Sequence, residues 1–339
     1  MQPLEAGDPR TLGAYRLLGR LGSGGMGRVY LGRSPGGRTV AVKVVHPHFA
    51  GDDDFLVRFR REVDAARRAG EAVRTAPVLD ADPDAPLPWV ATGYVAGPPL
   101  HHAVAGHGPL PEPAVRALGA GLAEALAAVH RLGLVHRDVK PSNVLLTLDG
   151  PSLIDFGIAR ATDGTASLTS TGVSIGSPGY MSPEQALGRG GVGPPSDVFS
   201  LGAVLAYAAT AHAPFPGDSS AALLYHVVHE DPELHDLSGP LRELVAGCLA
   251  KDPAARPAPE EVAGRLAGEG GAAALSGTGW LPPALVEQVS RRAVELLHLE
   301  PEPAAGQPSG QGPDAPGEGP PGGPAGRPEA PQGPAPGAA

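Results

Sequence analysis

Apolar positions along the first hundred residues change their period twice. Between residues 15 and 45 (YRLLGRLGSGGMGRVYLGRS, then RTVAVKVV) they alternate with glycine and polar residues. That pattern predicts two strands joined by a Gly-rich turn, then a third strand. After the acidic run Asp52–Asp54 the spacing lengthens to three or four residues, through Phe55, Phe59, Val63 and Ala66, which predicts a helix over 52–69. Residues 86–97 (PLPWVATGYVAG) return to a strand and end at a Gly-Pro break. From there on the helical period dominates. Leu118, Leu122, Leu126 and Val129 recur at i, i+4, i+8 and i+11, an amphipathic helix. Residues 134–158 are short apolar pieces between polar loops. Residues 196–211 predict a mostly apolar helix with Asp197 at its start, and 241–250 and 259–267 predict two more. Over 284–299, Leu285, Val289, Ala293 and Leu296 repeat the spacing of the 118–129 helix, and Pro301 stops it. A strand-rich front and a helical remainder predict a small sheet lobe followed by a larger helical lobe. The fold class is α+β.

Composition separates a folded body from a tail. The chain holds 49 Gly and 40 Pro in 339 residues, but 22 of residues 301–339 are Pro or Gly, the composition of a disordered segment. The tail carries PxxP spacings at Pro313/Pro316, Pro321/Pro324 and Pro331/Pro334. These suit a Pro-recognition domain or simply a solvated tail. The net charge of -10 has the wrong sign for a protein that tracks a nucleic-acid backbone. Cys248 is the only cysteine, so no internal disulfide forms, which fits a reducing compartment. Met1–Arg10 lacks a basic-then-apolar leader pattern. The longest apolar run, Leu201–Ala211, is about half a membrane span. The expected location is cytoplasmic.

A bias in residue choice then marks individual positions. Of 26 basic residues only three are Lys, namely Lys43, Lys140 and Lys251, and Asn143 is the only Asn. Where Arg has replaced nearly every Lys, the remaining lysines point to sites that need a compact ammonium. Lys140 and Asn143 stand three residues apart.

Five motifs carry candidate chemistry. Gly22-Ser23-Gly24-Gly25-Met26-Gly27, with Val29, is a GxGxxGxV turn between strands. Its missing side chains let backbone N–H groups approach phosphate oxygens. A strand, not a helix, follows it, which argues against dinucleotide binding. A plain Gly-rich hairpin would look the same. Val40-Ala41-Val42-Lys43 places a Lys on a strand, and Glu62 in the next helix is a candidate partner, though a strand Lys is usually a solvated one. His136-Arg137-Asp138-Val139-Lys140-Pro141-Ser142-Asn143 is far more specific. Asp138 can accept a hydroxyl proton, Lys140 can screen a phosphoryl group, and Asn143 can hold a divalent cation through its amide oxygen. Asp155-Phe156-Gly157 follows Asn143 by 12 residues and adds a second hard oxygen ligand suited to Mg2+. Last, Ser182-Pro183-Glu184, Asp197 and Arg256 offer a buried Glu–Arg pair that ties the helical lobe together; singly, each is an ordinary surface charge. The twelve histidines, including His46, His48, His101, His102 and His107, show no zinc-type spacing.

In this order and spacing the motifs resemble those of the bacterial, eukaryotic-like Ser/Thr protein kinases, over about residues 15–268. The resemblance implies a bilobal kinase fold with an N-lobe over 15–97 and a C-lobe over 98–268. These are flanked by an N-terminal extension (1–14), a linker with an amphipathic helix (269–300) and the tail (301–339). It implies that Leu21, Gly22, Ser23, Gly24, Gly25, Met26 and Gly27 cover ATP. Val29, Ala41 and Leu145 sandwich the adenine, Thr92 is the gatekeeper, and Tyr94 and Val95 lie in the hinge. Lys43 contacts the α- and β-phosphates and pairs with Glu62. Asp138 is the catalytic base, Lys140 neutralises the γ-phosphoryl group, and Asn143 and Asp155 hold Mg2+ (or Mn2+). Lys140 is what Ser/Thr kinases carry at that place. Arg137 grips a phosphorylated activation loop, with Thr169 and Thr171 as candidate phosphosites. Glu184 and Arg256 form the structural ion pair. Expected partners are protein substrates and ATP, with a phospho-Thr-binding adaptor and a second copy of the chain as further candidates; nucleic acid is not one. The rival reading is a nucleotide-binding pseudokinase scaffold, which damage at Lys43, Asp138 or Asp155 would favour; all three are intact. One departure from the family is the stretch 70–84, which is rich in Ala, Pro and Asp and lacks the usual His-Pro turn.

Overall fold

Alternation along the fourth strand decides what the small lobe does. The computed structural model describes residues 1–69, 75–155, 178–188, 191–268, 275, 279–297 and 299. Thr169, Thr171 and the tail 301–339 lie outside the described residues. Six strands, β1 (Thr11–Leu12), β2 (Tyr15–Gly24), β3 (Gly27–Arg33), β4 (Thr39–Val45), β5 (Val78–Asp82) and β6 (Trp89–Gly93), form an antiparallel sheet in the order β1-β2-β3-β4-β6-β5. On β4, Val40, Val42 and Val44 point to one face and pack with Tyr15, Leu17, Tyr30 and Trp89. The pleat sends Ala41 and Lys43 to the other face. Register pairs Val29 with Lys43 and Thr92 with Ala41, so these four residues share that face. After the short helix α1 (Pro47–Ala50), α2 (Asp53–Ala69) buries Phe55, Phe59 and Val63 against Val45 and Val90. The change from a two-residue to a 3.6-residue apolar period is the change from sheet to helix.

The larger lobe contains α3 (Leu100–His107), α4 (Glu112–Arg131), the hairpin β7 (Val144–Thr147) and β8 (Gly150–Leu153), α5 (Pro183–Ala186), α6 (Pro194–Thr210), α7 (Ser220–His229), α8 (Gly239–Cys248), α9 (Pro259–Ala267) and α10 (Pro283–Leu297). One continuous core runs from Leu100 to Val289, with α4 and α6 at its centre. Gly202 on α6 lets α8 come close: a Cβ there would lie 2.7 Å from the Cβ of Cys248.

The α+β, two-lobed expectation therefore matches the observed architecture. Periodicity also located β2–β4, α2, β6, α4, α6, α8, α9 and α10. It did not locate β1, β5, α3 or α7, nor the short α1 and α5. The strand β5 (VLDAD) is a half-buried edge strand inside the Ala/Pro/Asp-rich stretch, where pairing with β6 overrides a poor local propensity. The helix α10 packs back onto the large lobe through the buried Leu285 and Val289. Trp280 Nε1 donates to the carbonyl of Thr147 at 2.9 Å and Arg292 donates to that of Gly97 at 3.3 Å. Among the described residues no helix is long and apolar enough to cross a membrane.

Candidate active site

The site lies between the free face of the small sheet and the loop before β7. Above, the Gly-rich turn joins β2 to β3. Gly22–Gly25 are exposed, as is Leu21, while Met26 is half-buried and Gly27 buried. A Cβ added at Gly22 or Gly24 would meet nothing within 4 Å. No packing within the chain demands glycine there, and the space beside them is open to a ligand. Gly27 differs: its Cβ would strike the carbonyl oxygen of Val44 at 2.0 Å. Val29, Ala41, Lys43 and Thr92 share the sheet face behind this turn. Tyr94 and Val95 come just after β6, and burial raises the Tyr94 phenol pKa. Leu145, 8% exposed, is on β7 in the lobe opposite, bridged to Pro99.

Below, one carboxylate shapes the loop. Asp197, 1% exposed at the first turn of α6, accepts the backbone N–H of His136 and of Arg137, each at 2.7 Å. The ring of His130 lies 2.8 Å from the same carboxylate. Arg137 sits at φ 64° and Asp155 at φ 59°, left-handed backbone that non-glycine residues adopt at a cost. The buried imidazole of His136 lies 3.2 Å from the Ile154 carbonyl, and burial lowers its pKa.

On that scaffold the candidate residues converge. Lys140 Nζ is 2.9 Å from Asp138 Oδ2. The Asn143 amide donates to the Asp138 carbonyl at 2.9 Å and to its Oδ2 at 3.0 Å. The Ile154 N–H donates to the Asn143 carbonyl at 2.9 Å, which brings Asp155 next to this group. Asp155 in turn forms an ion pair with Lys43 from the opposite lobe. Burial pushes the Asp155 carboxyl pKa up, but Lys43 outweighs it and holds the value below normal. Lys43 thus meets Asp155; Glu62, its expected partner, lies half-buried on α2. In the large lobe Arg256 reaches Glu184 with two bonds, Nη1–Oε1 at 2.7 Å and Nη2–Oε2 at 2.9 Å. The role of Asp197 in holding the loop was not legible: its place at a helix start was the only signal, and its partners lie 60, 61 and 67 residues away.

Residues 15–265 match the protein kinase domain. The chain belongs to the protein kinase family. The probable serine/threonine-protein kinase PkwA of Thermomonospora curvata is 50% identical over 289 residues, covering 85% of this chain and 38% of that protein. The serine/threonine-protein kinase AfsK of Streptomyces coelicolor is 47% identical over 303 residues, covering 88% and 38%. The crystal structure of the Mycobacterium tuberculosis PknI kinase domain aligns with a TM-score of 0.58 at 30% identity, over 78% of this chain and 99% of that one. Both curated relatives are bacterial proteins named as serine/threonine kinases, and the chain spans under two fifths of the length of each.

Proposed function

We propose that this kinase transfers the γ-phosphoryl group of Mg·ATP to Ser or Thr hydroxyls of proteins, and that it also modifies itself at Thr169 or Thr171. The observation that carries this reading is the meeting of Lys43 and Asp155 from opposite lobes beside the Asp138–Lys140–Asn143 cluster. Phosphoryl transfer asks a protein for positioning and charge neutralisation more than for covalent chemistry. Asp138 holds the substrate hydroxyl and takes its proton as the oxygen bonds to the γ-phosphorus and the bond to the β-phosphate oxygen breaks. Lys140 balances charge on the moving group, and Lys43 holds the α- and β-phosphates. Gly22 and Gly24 leave room for phosphate oxygens to reach backbone N–H groups.

The donors also suit the metal. The Asn143 N–H bonds go to Asp138, which leaves the amide oxygen as the ligand atom. With the Asp155 carboxylate it makes a two-oxygen, hard site of the kind Mg2+ completes with phosphates and water. Among the described residues no cluster of three His, Cys, Asp or Glu could hold a metal by itself. Asn143 and Asp155 would hold the metal, whose charge would offset that of the phosphate oxygens.

The test is incubation of the full chain with labelled ATP and Mg2+ or Mn2+ plus a generic protein substrate. Label should enter the substrate. Asp138→Asn should bind ATP as the wild type does while turnover falls by about 10²–10⁴-fold. Wild-type turnover in that variant overturns the assignment of Asp138. Binding of ATP by the wild type without transfer would instead establish the scaffold reading. Mass spectrometry after ATP treatment should find phosphate between residues 157 and 181.

A further inference from the structure

The N-terminal segment lies before the matched kinase domain, yet it grips the strand pair that carries the Gly-rich turn. Gln2 exchanges both backbone bonds with Arg20 of β2, at 2.9 and 2.8 Å. The Arg20 guanidinium also donates to Glu5 Oε2 at 3.0 Å and to Asp8 Oδ1 at 2.8 Å. Asp8 is only 6% exposed. Its Oδ1 accepts the Tyr30 hydroxyl at 2.7 Å and lies 3.5 Å from Arg28 Nη1, both on β3, while Oδ2 accepts the Glu5 N–H at 2.8 Å. The hydrogen bond from Arg20 holds the Asp8 carboxyl far below its usual range, against the cost of burial. One buried carboxylate from outside the domain therefore links both strands of the nucleotide-covering hairpin.

Its place along the hairpin is what matters. Arg20 stands opposite Tyr30, and the register slips between Arg20 and Gly22. Such a bulge bends a strand and re-aims the residues beyond it. Those residues are the exposed run Gly22–Gly25. At the tip, the His46 N–H donates to the Met26 carbonyl at 2.9 Å, and the His46 ring lies 3.0 Å from the Gly24 carbonyl. The hairpin is thus held firmly at the bulge and lightly at its end. A turn that spends part of its time splayed away binds its ligand more weakly, in proportion to the fraction correctly placed.

We propose that Asp8 is a positioning residue for phosphate binding: through Arg20, Arg28 and Tyr30 it sets the aim of the Gly-rich turn over ATP. The inference rests on the ATP site proposed above. A merely stabilising strap would lower the melting temperature and leave nucleotide affinity alone, so both are measured on the full chain. Asp8→Ala should raise the KM for ATP about fivefold to twentyfold, with kcat at saturating ATP and the KM for protein substrate within about twofold. Tyr30→Phe removes a single bond and should raise the KM for ATP about twofold to fivefold. Asp8→Asn keeps the shape and an acceptor, and should fall between wild type and Asp8→Ala. If Asp8→Ala does not fold, Asp8→Asn and Tyr30→Phe decide by the same criterion. A wild-type KM for ATP in these variants, whatever their melting temperatures, overturns the proposal, as does an equal loss in kcat and kcat/KM. Should the wild type bind ATP without transferring it, the reaction assignment fails separately, and the dissociation constant for Mg·ATP in the same variants still tests Asp8.

Discussion

At the scale of single residues, the glycines of the turn divide by physical cause. Gly27 is required by the chain itself, because a side chain would run into the Val44 carbonyl. Main-chain atoms of a paired strand have little room to give, so Gly27→Ala should cost about 1–3 kcal/mol through overpacking. Gly22→Ala and Gly24→Ala meet only open space and should change stability by less than about 0.5 kcal/mol, yet raise the KM for ATP. Urea midpoints together with ATP titrations separate the two classes. The rare lysines divide in a similar way. Lys43 and Lys140 stand in the site. Lys251 donates to the Val227 carbonyl at 2.6 Å and stacks 4.2 Å from the Phe215 ring, closing the end of α7, and burial lowers its pKa to about 8. Rarity singled out all three. Only the fold distinguishes chemistry from support, because each side chain's partners are brought in by other elements.

Among elements, the Glu184–Arg256 pair shows how two helical pieces are tied. Burial alone would raise the Glu184 pKa, but hydrogen bonds from Arg256 and Ser196 bring it down to about 2, from 4.5. A folded value below the unfolded one means stability that is complete above about pH 4.5 and is lost as the pH falls toward 2. The shift corresponds to roughly 3 kcal/mol. Glu184→Gln should therefore lower stability at pH 7, since Arg256 is left buried with a weakened partner, and should flatten the decline as the pH falls from about 4.5 toward 2. Urea midpoints at several pH values give the answer; a decline as steep as the wild type's would assign the acid sensitivity elsewhere. Helices with long, strongly periodic stripes, such as α4, were legible because one face repeats over several turns. The pairing of β5 with β6 was not, because an edge strand draws its stability from a neighbour and not from its own residues.

For the molecule as a whole, α10 belongs to the catalytic body. Leu285 is fully buried in the core that also holds α4 and α6. Leu285→Ala should cost about 2–4 kcal/mol, with one cooperative unfolding transition monitored by both near-UV and far-UV signals. A separately docked helix would leave the main transition where it is in the wild type. In sequence, the apolar stripe over 284–299 shows that a face is covered and not by what.

Local order was legible in the sequence itself: backbone period, turn chemistry and the spacing inside each of the Gly-rich, His136–Asn143 and Asp155 motifs act within a few residues. Tertiary structure alone decided that Lys43 meets Asp155, 112 residues away, and that Asp8 meets Tyr30, 22 residues away. No spacing rule spans such distances, because a pair of that kind exists only after packing has fixed both backbones and removed the water that would otherwise solvate each charge separately.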